Sequence, residues 1–325
     1  MTMGQRRSLG ERFRQRVGGV AAEAFFQGLS NAARLHPQAR PERHGVEVIR
    51  DLDYRGTGDD FHLLDVYRPI ERNEPLPVVL HIHGGGFRIL SKDTHWVMGL
   101  AFARRGAIVF NVSYRLAPRH PFPAAVEDVC AAYEWVVENA ARFGGDPSKL
   151  IIAGESAGAN LTTALTVATT FERPEPYARR VFERGIVPIG AMPFCGILHV
   201  SEIDRYFERG KLSPWVVDRM REVSSAYLSG PEPEHGIDLA NPLVMLESEL
   251  EPDRPLPPFF APVGTKDPIL DDTRRLARAL ERRGVPCETT YYAGEPHAFH
   301  AFVFRQNARR CWADAYRFVD RCVAD

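Results

Sequence analysis

The rhythm of apolar positions changes near residue 46. Before it, Leu9, Phe13, Val17, Val20 and Ala24 recur at three- and four-residue steps while Arg6, Arg7, Arg12, Arg14 and Arg16 take other faces, which predicts a basic amphipathic helix lying on the domain. After it, VEVIRDLDY, FHLLDVYRP and PVVLHIHG read as strands. From there strand and helix alternate. AIVFNVSY is a strand, and PAAVEDVCAAYEWVVENAARF a helix with Val126, Val129, Cys130, Tyr133, Val136 and Val137 on one stripe, stopped by Gly144 and Gly145. LIIAG, wholly apolar, suits a strand covered on both faces, and ESAGANLTTALTVATT is the helix after it. GIVPIGAMPF, PPFFAPVG and CETTYYAG are further strands, with the helix DDTRRLARALERR between the last two. The final helix gathers Ala308, Cys311, Trp312, Ala315, Val319 and Cys322 on one side.

A βαβ series of this kind predicts an α/β fold with a mostly parallel, doubly wound sheet. One stretch, about 197–240, breaks the alternation and reads as helical and polar with scattered aromatics. It is taken as an insertion. In open α/β sheets the ligand sits outside the carboxyl ends of the strands, where such an insertion roofs the site.

Composition narrows the function classes. The 325 residues are 44% hydrophobic and 26% charged, as in an ordinary globular chain, and the net charge of −1 offers no basic field for nucleic acid. No linker splits the sequence, so one catalytic domain with a cap is expected. The five cysteines (Cys130, Cys195, Cys287, Cys311, Cys322) form no CxxC pair and read as small core residues in a reducing compartment. Near the N-terminus the apolar stretch is short and interrupted by Glu23, unlike an export signal, and no apolar run suffices for a membrane span. A cytoplasmic location with no stable membrane insertion is the expectation.

The candidate chemistry starts at GESAG, residues 154–158, between the strand LIIA and a helix. Strand, sharp turn and helix make a nucleophile elbow that projects Ser156, with Gly154 and Gly158 clearing room for neighbouring strand and helix. A serine hydroxyl needs a positioned base, and the base an orienting acid. Downstream, GTKDPIL places Asp267 after one strand and AGEPHAFHAF places His297 after another, both on the edge where Ser156 emerges. Asp271 and Asp272 are read instead as caps of the following helix, and His300 as an ordinary loop or helix-start histidine. HGGGF at 83–87 follows the third strand, where backbone amides stabilise the oxyanion of acyl transfer together with the amide of Ala157, the residue after the nucleophile. The approach of a substrate oxygen explains why side chains are missing there. No HExxH-like spacing suggests a metal, and no metal or organic cofactor is called for.

In that order HGGGF, YRLAP followed by HPFPAAVED, GESAG, DPIL and HAF resemble the hormone-sensitive lipase family of α/β-hydrolases, also called bacterial family IV esterases. The resemblance runs from about the second strand to the last helix. It implies an α/β-hydrolase fold with helices on both faces of the sheet, a triad of Ser156, Asp267 and His297, and oxyanion donors from Gly85, Gly86 and Ala157. It further implies that His83 braces the glycine loop, that Tyr114 fixes neighbouring backbone, and that residues 1–45 and about 197–240 form a helical cap on a catalytic domain of 46–325. Two positions depart from the family's habit: Glu155, where Asp or Thr is more usual, and Ala298, where Gly is. Phe87, Phe194, Tyr206, Phe207 and Trp215 are candidates to line an acyl pocket. The expected activity is serine carboxylic-ester hydrolysis of short- to medium-chain acyl esters, with a small-molecule ester as partner. An amidase or peptidase on the same triad stays open, as does a receptor of the same fold, although such plant hormone receptors lack the histidine that His297 supplies. Homodimerisation stays open as well.

Overall fold

In the computed structural model, which describes residues 9–71, 75–208 and 212–324 (side chains of 9–17, 20, 22 and 208 excepted), eight strands form the main sheet. In chain order the ten strands are β1 (Val46–Asp53), β2 (Leu63–Pro69), β3 (Leu76–Ile82), β4 (Ile108–Val112), β5 (Gly145–Glu155), β6 (Gly190–Phe194), β7 (Phe259–Phe260), β8 (Val263–Gly264), β9 (Cys287–Glu288) and β10 (Tyr291–Tyr292). The large sheet runs β1-β2-β4-β3-β5-β6-β7-β9, and β8 pairs with β10 in a small second one. All pairings are parallel except those of β2 with β1 and β4.

Alternation along the central strands fills two cores. Val78, Leu80 and Ile82 of β3, Phe110 of β4 and Ile152 of β5 face one side, where α3 (Ala124–Asn139) and α4 (Ala157–Thr170) pack. Val79, Val109 and Ile151 face the other, against α2 (Trp96–Ala103) and α10 (Gln306–Ala324). The α3 stripe read from the sequence is buried apart from the half-buried Val137. Helix α4 is buried all round despite its threonines, because Thr163, Thr166 and Thr170 donate to the carbonyls of Ala159, Thr162 and Thr166 at 2.8–2.9 Å. A buried hydroxyl bonded inside its own helix escapes the cost of an unpaired one.

Three helices lie outside the sequence reading: α2, α5 (Pro176–Glu183) and α8 (Pro242–Glu247). WVMGLAFA in α2 is apolar and buried almost throughout, so no periodicity marks it; the other two span only eight and six residues. PPFFAPVG and CETTYYAG each divide into two short strands. Pro262, which has no N–H to give, sits at the first break, while Ala261 and Val263 still donate to Glu288 and Thr290.

Helix α1 (Leu9–Arg34) forms where the amphipathic pattern predicts it; of the stripe, Leu9, Phe13, Val17 and Val20 fall outside the described side chains, and Ala24 is exposed. The insertion after β6 holds α6 (Arg205–Glu208) and α7 (Pro214–Tyr227), and α1 crosses α7 at Gly18 and Gly19, where an added Cβ would meet Arg219 at 2.7 Å and Glu222 at 3.3 Å. The remaining helix, α9 (Leu270–Arg282), joins β8 to β9.

Candidate active site

Four loops leave the carboxyl ends of neighbouring strands: residues 83–90 after β3, Ser156 after β5, Thr265–Ile269 after β8 and Ala293–Ala301 after β10. The elbow takes the geometry its glycines allow. Ser156 sits at φ 54°, ψ −112°, a region non-glycine residues avoid. A Cβ on Gly154 would stand 2.5 Å from the Gly158 carbonyl oxygen, and one on Gly158 2.1 Å from that of Ile82. The Ser156 amide is tied to the Phe194 carbonyl at 2.9 Å.

Ser156, His297 and Asp267, far apart in the chain, meet here. Oγ of Ser156 lies 2.9 Å from Nε2 of His297, and Nδ1 of the same ring lies 2.8 Å from Oδ2 of Asp267. The other carboxylate oxygen accepts the Ile269 amide at 2.9 Å, so Asp267 is buried with both oxygens engaged. Burial works against the imidazolium, but the adjacent Asp267 carboxylate, together with Cys195, outweighs it and holds the His297 pKa well above its ordinary value. Ala298, with φ 54°, occupies the left-handed region where glycine is more usual.

The glycine loop has reasons of its own for lacking side chains. Gly85 and Gly86 have φ of 114° and 60°, and an added Cβ would strike the Ile89 carbonyl oxygen at 2.1 Å and Val223 of α7 at 2.6 Å. Protein packing therefore demands these glycines in addition to any approaching substrate, which corrects the expectation that substrate alone does. Ala157 begins α4, where an amide has no acceptor within the helix. His83 donates from Nδ1 to the Gly84 carbonyl at 2.6 Å and stacks on Tyr114, whose hydroxyl donates to the His83 carbonyl at 2.9 Å. Burial, with His95 nearby, drives the His83 pKa well below its ordinary value.

Beneath Ser156 lies a cluster that the sequence reading did not assemble. Glu155, 8% exposed, receives Nε2 of His95 on one carboxylate oxygen at 2.8 Å and Nε2 of His300 on the other at 2.7 Å. Burial would raise its pKa, but the two imidazoles overcome this and hold it well below the usual carboxylate value. His300 is therefore no ordinary loop residue. It is 2% exposed and anchors the segment that carries His297. Gly84 completes the arrangement: a Cβ there would press on Glu155 at 3.0 Å. The signal in the sequence was the departure at Glu155; its partners lie 60 and 145 residues away, at no recognisable spacing.

Asp272 corrects a third expectation. It caps nothing: fully buried, it accepts the amides of Leu198 and His199 at 2.7 and 3.1 Å and the Tyr206 hydroxyl at 2.6 Å, and it pairs with Arg205, fixing the start of the insertion. Asp271 lies in the first turn of α9. Of the proposed pocket aromatics, Phe87 has no accessible surface and stacks on Tyr227 at 3.7 Å, Phe194 packs on Phe260 and Trp312, and Tyr206 is held by Asp272. Close packing makes these three part of the protein interior instead of a pocket wall. Phe207 is half-buried under the Arg221 guanidinium, and Trp215 is 60% exposed at the start of α7.

Known proteins share this architecture. The α/β hydrolase fold family matches residues 79–301. A carboxylesterase of Mycobacterium tuberculosis, NlhH, is 32% identical over 293 residues, covering 88% of this chain and 82% of the relative. Versiconal hemiacetal acetate esterase from Dothistroma septosporum is 28% identical, with 85% and 80% covered. The solved structure of an esterase from Pyrobaculum calidifontis superimposes with a TM-score of 0.73 at 26% identity, covering 94% of both chains. Among the described residues no helix is long and apolar enough to cross a membrane.

Proposed function

The chain belongs to the hormone-sensitive lipase family of the α/β-hydrolase fold, and on that premise we propose a serine carboxylic-ester hydrolase that takes small acyl esters through an acyl-enzyme on Ser156. The observation that carries the reading is the unbroken run from Ser156 Oγ to His297 Nε2 and from Nδ1 to Asp267, at 2.9 and 2.8 Å. His297 takes the hydroxyl proton as Ser156 attacks the ester carbonyl, then returns it to the leaving alcohol. Asp267 keeps the ring in the productive tautomer. The amides of Gly85, Gly86 and Ala157 receive the oxyanion, His83 and Tyr114 hold the glycine loop, and water releases the acid.

Residues 1–45 and about 197–240 act as a cap over a catalytic domain of 46–325. The crossing of α1 with α7, and the contact of α7 with Gly86, support that division. A cap packed against the glycine loop limits the acyl pocket, which favours short to medium chains; the likeness to an acetate esterase points the same way. The free cysteines support a cytoplasmic setting.

Hydrolysis of chromogenic acyl esters tests the reading. Turnover of acetate and butyrate esters is expected, falling for long-chain emulsions, and Ser156→Ala should lower kcat by on the order of 10⁵–10⁶ with the fold intact. Turnover surviving in folded Ser156→Ala protein would overturn the mechanism, and preference for long-chain triglycerides would overturn the pocket.

A further inference from the structure

Cys195 follows β6 directly and is 1% exposed, held by its amide to the Pro262 carbonyl at 3.1 Å. Its Sγ, a carboxylate oxygen of Asp267 and a ring nitrogen of His297 all lie within 4.8 Å of one another. The nitrogen that faces Asp267 is Nδ1. A thiol, an imidazole and a carboxylate are three donors that zinc accepts, and around tetrahedral Zn²⁺ such atoms stand roughly 3.5 Å apart, with metal bonds of about 2.0–2.3 Å. The three side chains are thus close to a coordination set. The triad uses Asp267 and His297 but has no use for the thiol.

We propose that Cys195, Asp267 and His297 Nδ1 form an inhibitory site for a thiophilic divalent cation, with Zn²⁺ as the probe. The proposal rests on the esterase reading only for its effect on rate. When the ion binds, the Cys195 thiol gives its proton to solvent, and the ion takes the place of the proton on Nδ1. The displaced proton moves by way of solvent to Nε2, so the neutral ring is held in its Nε2–H tautomer, and no electron changes hands. An Nε2 that already bears a proton cannot accept the one on Ser156, so the nucleophile loses its base. Burial pushes the Cys195 thiol up, against the pull of neighbouring His297, so the thiolate forms together with the metal bond and not before it.

The test is ZnCl₂ titrated into the full chain in a non-coordinating buffer during butyrate ester hydrolysis, each variant's rate being normalised to its own metal-free rate. Expected are inhibition reversed by a chelator, one ion bound per inhibited chain, and a half-inhibitory concentration raised at least about tenfold by Cys195→Ser. A second measurement does not depend on turnover. Co²⁺ added to Ser156→Ala protein should give a near-ultraviolet thiolate-to-metal absorption band that the Ser156→Ala, Cys195→Ser double variant lacks. Equal zinc sensitivity in wild type and Cys195→Ser, or the absence of a thiolate band in Ser156→Ala, overturns the site. Absent turnover with the cobalt band present would instead overturn the esterase reading and leave the site standing.

Discussion

The floor of the candidate site and the proposed roof over it are held by different physics. Under Ser156, buried groups meet through directed bonds and close backbone contact: Glu155 bonds two imidazoles, and Gly158 lies against the backbone of β3. Over it, α1 and α7 meet through long charged side chains, with Glu222 between Arg88 and Arg219 and an exposed Arg221–Asp204 pair at 3.2 Å, while Phe25, Phe26, Leu29 and Trp215 face outward. A buried bond admits one geometry, and leaving it unmade is costly. Exposed ion pairs contribute little and tolerate exchange. The floor is therefore over-determined, and the roof, away from the buried Glu222, permissive.

The sharpest way to break that contrast is a methyl group placed in the floor. Gly158→Ala drives a Cβ to 2.1 Å from one backbone oxygen and 2.5 Å from another, neither of which is a flexible side-chain end. It should cost more than about 3 kcal/mol, or yield no folded protein, read by thermal or urea unfolding. A mild effect would mean that β3 and α4 yield more easily than a packed floor should.

The next largest effect is on pH dependence. Asp267 raises the folded pKa of His297 above the ordinary 6.5, so the imidazolium is the form the site favours. The base appears only as pH rises through that raised value, and kcat/KM should fall about tenfold per pH unit on the acid side of it. The measured limb should therefore lie alkaline of free imidazole, and Asp267→Asn should move it toward acid. A limb below 6.5 in the unaltered protein would show that burial, not Asp267, governs the ring.

Legibility followed the same division. GESAG, HGGGF, Asp267 and His297 could be read from the sequence because each rule of the floor (no Cβ here, a hydroxyl at the turn, an imidazole after a strand) admits few residue types at a fixed offset from a strand end. The sheet was legible because strands covered on both faces are uninterrupted apolar runs, as in LIIAG. Helix α2 escaped for the converse reason, since a helix buried all round has no polar face. Glu155, His95, His300 and Asp272 escaped because their bonds are long-range: periodicity reports which way a side chain faces, never which distant side chain it meets. His300 reads as local, and Asp272 as a cap, because local roles are the ones a sequence displays.

Glu155→Gln tests whether the floor's charge matters to the chemistry. A carboxamide keeps the shape but offers one acceptor and one donor to two imidazole N–H groups, so one of them loses its partner at a cost of about 1–3 kcal/mol. Because His300 stands three residues from His297 and Glu155 directly precedes Ser156, the loss should fall on alignment: kcat lower by about 10-fold to 100-fold with KM nearly unchanged. Glu155→Asp, which keeps the charge, should recover part of it. A fall in thermal stability with kcat untouched would reduce Glu155 to packing.

The smallest expected effect lies in the roof and has the opposite sign. Gly28 is an exposed position inside α1, and a Cβ added there meets nothing within 4 Å. In a helix interior alanine is better than glycine by roughly 0.5–1 kcal/mol, because glycine gives up more backbone freedom on ordering. Gly28→Ala should therefore raise stability by up to that amount and leave kcat alone, although it is the same chemical change as Gly158→Ala. Calorimetry of the pair reads the contrast directly, since a methyl that wrecks the floor should firm the roof. If Gly28→Ala instead lowers the melting temperature, α1 is not an ordinary solvent-facing helix at that turn, and its outward surface packs against something the isolated chain does not supply.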